Sequence, residues 1–106
     1  MNRQWLAAAA IAAMTPTAGH AGPAVATRWQ NVTGSQEECL QRAEDAIRRS
    51  GFGRMERTQQ SRYGSLDNYT AAVRCIVSNG LAIFIVSGPS RKQSDQMAGV
   101  LFDNWK

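Results

Sequence analysis

The chain has one histidine, His20, and it lies in a segment whose pattern marks it for removal. Arg3 is followed by ten uninterrupted apolar residues, Trp5 to Met14, then by the helix-breaking Pro16 and small residues at Gly19 and Ala21. This is the layout of a bacterial-type secretory signal peptide, with cleavage expected after Ala21 and a second candidate site after Ala26. The run is half the roughly 20 residues a membrane-crossing helix needs, and no other segment is apolar enough to span. The competing interpretation, a buried Ala-rich helix opening a cytosolic domain, would give a helix with no polar face. The expected organisation is therefore a leader over residues 1–21 and one small domain over residues 22–106, periplasmic or secreted.

Loss of the leader removes the histidine and with it three chemistries. A Ser-His-Asp triad, a Cys-His nucleophile and a His-based zinc site all require one. Lysine is scarce too: Lys92 falls in an expected first helical turn and Lys106 is the last residue, which leaves little for serine-lysine catalysis. No glycine-rich phosphate loop is present, and "GFG" at Gly51–Gly53 is better explained as a helix stop. The acids outside the first helix, Glu56, Asp67, Asp95 and Asp103, are scattered. Two carboxylates can cleave a glycoside without histidine, but nothing pairs these. The sequence points away from an enzyme and implies no cofactor and no metal.

Cysteine is limited to Cys39 and Cys75. An even count in a short exported chain favours a disulfide. A redox pair would normally show C-x-x-C spacing, which is missing. A bridge closing this loop stabilises a fold by roughly 4 kcal/mol in the chain-entropy model, a useful addition for a domain with one small core.

"ATRWQNV" is a short strand candidate with Trp29 seeking cover. "SQEECLQRAEDAIRRSGFG" is the clearest helix. Ser35 and Glu38 form a capping box, and Cys39, Leu40, Ala43, Ala46 and Ile47 share one face. Gly51 provides the stop, with Phe52 folding back. Acids lead and Arg48 and Arg49 close the helix, and the pairs Glu38–Arg42, Glu44–Arg48 and Asp45–Arg49 have the favourable order. Arg54 to Tyr63 reads as a single polar edge strand, and "GSLDN" as a turn. "YTAAVRCIV" alternates, with Tyr69, Ala71, Val73, Cys75 and Val77 on one face. Asn79-Gly80 suggests a two-residue hairpin loop that sets Ser78 against Leu81 and Cys75 against Phe84. A three-residue loop would instead bring Leu81, Ile83 and Ile85 beside Cys75. Finally, Ser90 caps a second amphipathic helix on which Met97, Val100, Leu101 and Trp105 recur, and Gly99 would permit close approach to the sheet. The expected class is α+β, order (β)αβββα: a three- to four-stranded, mostly antiparallel sheet with both helices on one face.

Two surfaces are candidates for binding. In the favoured register Ile76, Leu81, Ile83 and Ile85 point away from both helices, onto a face that is normally polar. Such a patch marks a partner or homodimer contact, unless the first segment and Trp29 fold over it. The second candidate is the basic surplus on a chain of net charge +4. Arg54, Arg57 and Arg62 have no evident acid partner and could meet an anionic ligand or polymer, although strand alternation would place Arg57 opposite the other two. Nucleic acid is a poor fit, since only Tyr63 and Tyr69 could stack on bases.

"ECLQRAEDAI…GF", "YTAAVRC" and the Asn-Gly hairpin behind a secretory leader resemble small exported bacterial proteins of uncharacterised function. The resemblance spans about Ser35 to Trp105. It implies the same two-cysteine α+β domain and brings no activity, cofactor or ligand with it.

Overall fold

Five strands and two helices make up residues 22–106, the part of the chain that the computed structural model describes. The leader expected over 1–21, with its apolar run and His20, lies outside the described residues. The elements are β1 (Ala24–Asn31), α1 (Gln36–Arg49), β2 (Gly53–Arg57), β3 (Ser61–Leu66), β4 (Tyr69–Ile76), β5 (Leu81–Gly88) and α2 (Arg91–Asp103). The strands form one antiparallel sheet in the order β1-β5-β4-β3-β2. α1 carries the chain from one sheet edge to the other. A four-stranded meander then returns, so that β5 lies beside β1.

α1 forms as its sequence dictates. Ser35 Oγ accepts from the Glu38 N–H at 3.0 Å, and Glu38 Oε1 accepts from the Ser35 N–H at 2.9 Å, which completes the capping box. Those hydrogen bonds hold the Glu38 carboxyl below its ordinary value. Cys39, Leu40, Ala43, Ala46 and Ile47 are buried. Gly51 takes a φ of 93°, and the Phe52 N–H returns to Ile47 O at 3.1 Å. α1 comes very close to β3: a methyl group on Gly64 would sit 2.6 Å from Ile47 Cγ2 and 2.9 Å from Phe52 Cβ.

The sheet has five strands where three or four were expected, and "GSLDN" is a turn only at Asp67-Asn68, because Gly64, Ser65 and Leu66 continue β3. Two further strand expectations need correction. The segment Arg54 to Tyr63 is not one strand but the end of β2, a two-residue turn at Gln59-Gln60, and the start of β3. Thr58 makes the turn: its N–H donates to Ser61 O at 3.0 Å, and its hydroxyl accepts from the Ser61 N–H at 3.0 Å. A hydroxyl can replace Gly or Asn in closing a loop in this way. The β4–β5 pairing is also displaced by two residues from the expected one. Ile76 faces Leu81, Cys75 faces Ala82 and Val73 faces Phe84. Val77–Asn79 forms a 3-10 turn closed by the Gly80 N–H on Val77 O at 2.8 Å. The Gln36 side chain fixes the end of β4, donating to Cys75 O at 2.8 Å and accepting from the Val77 N–H at 3.3 Å. A shift of two keeps every side chain on its face, so Cys75, Phe84 and Val86 still share the helix side.

Both helices cover that side. The core is built around Phe84, which meets Phe102 and Trp105 edge-on at 5.3 Å each. Cys39 and Cys75 are joined by a disulfide, both buried, tying α1 to β4. In α2 the buried residues are Ser94, Ala98 and Leu101, with Met97 and Phe102 half-buried; Trp105, expected on the helix, lies beyond its end at Asp103 and is half-buried against the core. Val100, expected on the packed stripe, faces solvent. Gly99 does allow a close approach, but by a side chain: a methyl group there would lie 3.3 Å from the Arg28 guanidinium. Arg28 reaches across to Asp95 at 3.1 Å.

Candidate interaction surfaces

The sheet face opposite the helices is apolar on one half and polar on the other. Register places Trp29 beside Ile83, Thr27 beside Ile85 and Asn31 beside Leu81. Across β5, Leu81 lies beside Ile76, Ile85 beside Ala72 and Ile83 beside Arg74. Ile76, Leu81, Ile83 and Ile85 are all half-buried, while Trp29 is 63% exposed and Val25 49%. Thr27, Trp29, Leu81 and Ile83 line a shallow depression of about 440 Å³. Toward β3 the surface turns polar. Arg74 donates to Gln60 Oε1 at 2.5 Å and to Ser61 Oγ at 3.4 Å, and Tyr63 and Glu56 follow in the same row as Ala72.

β1 does not fold over this face. It joins the sheet as an edge strand, so Trp29 enlarges the apolar surface instead of covering it. Trp29, expected to seek cover, stays exposed. Its place beside Ile83 depends on a β1–β5 pairing across some fifty residues, which no local pattern signals.

The arginine cluster assembles differently from its expectation. Arg57 and Arg62 are direct cross-strand partners on the helix side, and both converge on Glu44 of α1. Arg57 Nε lies 2.8 Å from Glu44 Oε2 and its Nη2 3.1 Å from Oε1. Arg62 Nε reaches Oε2 at 2.7 Å, and Arg48 Nη2 reaches Oε1 at 3.1 Å. Arg57, then Arg62 and Arg48, hold the Glu44 carboxyl down to about 2 against the opposing effect of its burial. Arg54 stands apart, exposed, with a φ of 55° at the irregular start of β2. The anion gripped by Arg57 and Arg62 is thus the protein's own carboxylate. The signal was present in the sequence: Glu44 sits four residues after Leu40 and three before Ile47, on the margin of the buried stripe. A carboxylate there needs more partners than one solvated i,i+4 arginine.

The other expected helix pairs also rearrange. Arg48 approaches Asp45 at 3.8 Å. Arg42 lies over the Trp105 ring at 4.3 Å and donates to Lys106 O at 2.6 Å, leaving Glu38 to its capping role. Among the described residues, no group of three His, Cys, Asp or Glu side chains is placed to hold a metal, and no helix is long and apolar enough to cross a membrane. No family model, curated protein or solved structure matches the chain.

Proposed function

We propose that this is an exported, non-enzymatic bacterial domain that works by protein contact through the helix-free face of its sheet. The observation that carries the proposal is Trp29, largely exposed and paired side by side with Ile83 within a continuous apolar surface that also holds Leu81, Ile85 and Ile76. Fully burying an exposed side chain of this size is worth about 1.5–3 kcal/mol, of which the half-buried Ile76, Leu81, Ile83 and Ile85 have only part left to gain. A partner covering several of them gains enough to offset a substantial part of the cost of association. The polar half of the same face, with Arg74, Tyr63 and Glu56, would set orientation. The Cys39–Cys75 bridge supports an oxidising compartment, since such bonds are rare in the bacterial cytosol.

A photo-crosslinking residue placed at Ile83 tests this. In cells it should give a discrete protein adduct that the same residue at Arg91, on the opposite side of the molecule, does not. Absence of any adduct from Ile83 and Ile85 would remove the proposal.

A further inference from the structure

The two edges of the sheet are built in opposite ways. β2 is short and charged, with Arg54, Glu56 and Arg57 in five residues. Its ladder is broken between Gly53 and Glu56, and Arg54 has a positive φ. These are the devices that keep an edge from pairing with another chain. β1 has none of them. It runs eight residues in unbroken register against β5, and its only charge, Arg28, is turned to the helix side and bound to Asp95.

The direction of its backbone groups follows from the register. The Val32 N–H donates to Gly80 O at 2.9 Å, in line with the β1–β5 ladder. Antiparallel bonding alternates, so the even residues of β1 bond inward and Val25, Thr27, Trp29 and Asn31 turn their N–H and C=O groups to the open edge. The same residues carry β1's exposed side chains.

We infer that β1 is a self-pairing edge, and that a second copy of this chain docks on it antiparallel about a two-fold axis at Thr27. This register is selected by the side chains. It sets Val25 of each copy opposite Trp29 of the other, so the two large exposed apolar residues of the strand cover one another. On the helix side it sets Arg28 opposite Ala26. Centring one residue later would put Arg28 against Arg28, and centring one earlier would put Trp29 against Pro23, which has no N–H to give. The three facing pairs supply about six backbone hydrogen bonds. The product is a ten-stranded sheet whose apolar half-faces meet in the middle, doubling the surface described above. The inference deepens the protein-contact proposal, which gives the joined face its purpose, but the edge contact itself stands on the register of β1.

Sedimentation of the protein recovered from expression of the full chain tests it. A concentration-dependent dimer is expected, weakened at least tenfold by Thr27→Pro, a change an open edge tolerates in the folded monomer. Thr27→Cys gives a second measurement that needs no proline. The two Cα atoms at the axis lie about 5.5 Å apart, within disulfide reach, so mild oxidation should yield a covalent dimer. Asn31→Cys, displaced in opposite directions on the two copies, should not. A monomer at every concentration, or equal cross-linking at 27 and 31, overturns the inference. A dimer indifferent to Thr27→Pro but dispersed by Ile83→Lys also overturns it, moving the contact to the sheet face and leaving the protein-contact proposal standing. A Thr27-centred dimer with no adduct from Ile83 does the reverse.

Discussion

Arg62 Nε and Glu44 Oε2 lie 2.7 Å apart, and this ion pair fixes the β2–β3 hairpin onto the first helix. Arg57, the cross-strand partner of Arg62, binds the same oxygen, and Arg48 binds the other. One carboxylate therefore collects three guanidinium groups. Glu44→Gln keeps the shape but leaves those cations facing each other. Hydrogen bonds to charged groups are worth about 1.5–3 kcal/mol, and two of the three arginines are half-exposed, which weakens their share. A loss of about 2 kcal/mol is expected, read as a lower urea midpoint with an unchanged slope.

The same carboxylate makes stability depend on acid pH in a defined direction. Its value in the fold is about 2, below the ordinary carboxylate range. The unfolded chain thus binds the proton more readily, and stability rises with pH between the two values. The contribution is complete above the unfolded value, near pH 4.5, and is lost as pH falls toward 2. Glu38, lowered by Ser35, acts in the same sense. Unfolding free energies measured from pH 6 to about 2 should show a steep decline. Glu44→Gln should flatten it.

Legibility in the sequence tracked locality. α1 was readable to its cap because Ser35, Glu38 and Gly51 act within a turn of the residues they bond. The faces of β4 and β5 were readable because alternation survives a two-residue slip. The hairpin at Gln59-Gln60 was hidden, since Thr58 closes it without Gly, Asn or Pro. Without that turn, strand alternation places Arg57 on the face opposite Arg62, and their common partner Glu44 stays hidden. β1 was recognisable as a strand, but its edge position depends on contacts far along the chain.

The disulfide gives two expectations. The native protein should be lighter than its reduced form by two hydrogens, because Cys39 and Cys75 are joined. Replacing both by Ala should cost roughly 4 kcal/mol. Small domains hold only about 5–15 kcal/mol in total, so the double variant should unfold at much lower urea. Two free thiols in the protein purified without reductant would contradict the structure directly.

Gly64 offers a packing test. Alanine there would place its methyl carbon against Ile47 and Phe52 at distances no real contact adopts. Either α1 retreats from β3 or the strand shifts, at a cost of about 1–3 kcal/mol typical of overpacked cores. Gly53→Ala, where a methyl group meets nothing within 4 Å, is the control and should shift the midpoint little. Equal effects at the two positions would mean that α1 and β3 are not in close contact.

Trp29 distinguishes the proposed contact from a role in stability. Its large exposed ring contributes little to the core, which is organised around Phe84 on the other side of the sheet. Surface substitutions of this kind usually change stability by no more than about 0.5 kcal/mol. Trp29→Ser should therefore leave the urea midpoint near that of the wild type. Adducts formed from a photo-crosslinker at Ile83 should nevertheless fall severalfold, because the ring beside Ile83 is the largest apolar element a partner can cover. If Trp29→Ser instead unfolds the domain, the ring serves the fold. If adducts persist undiminished, the contact lies elsewhere on the face, toward Ile76 and Arg74.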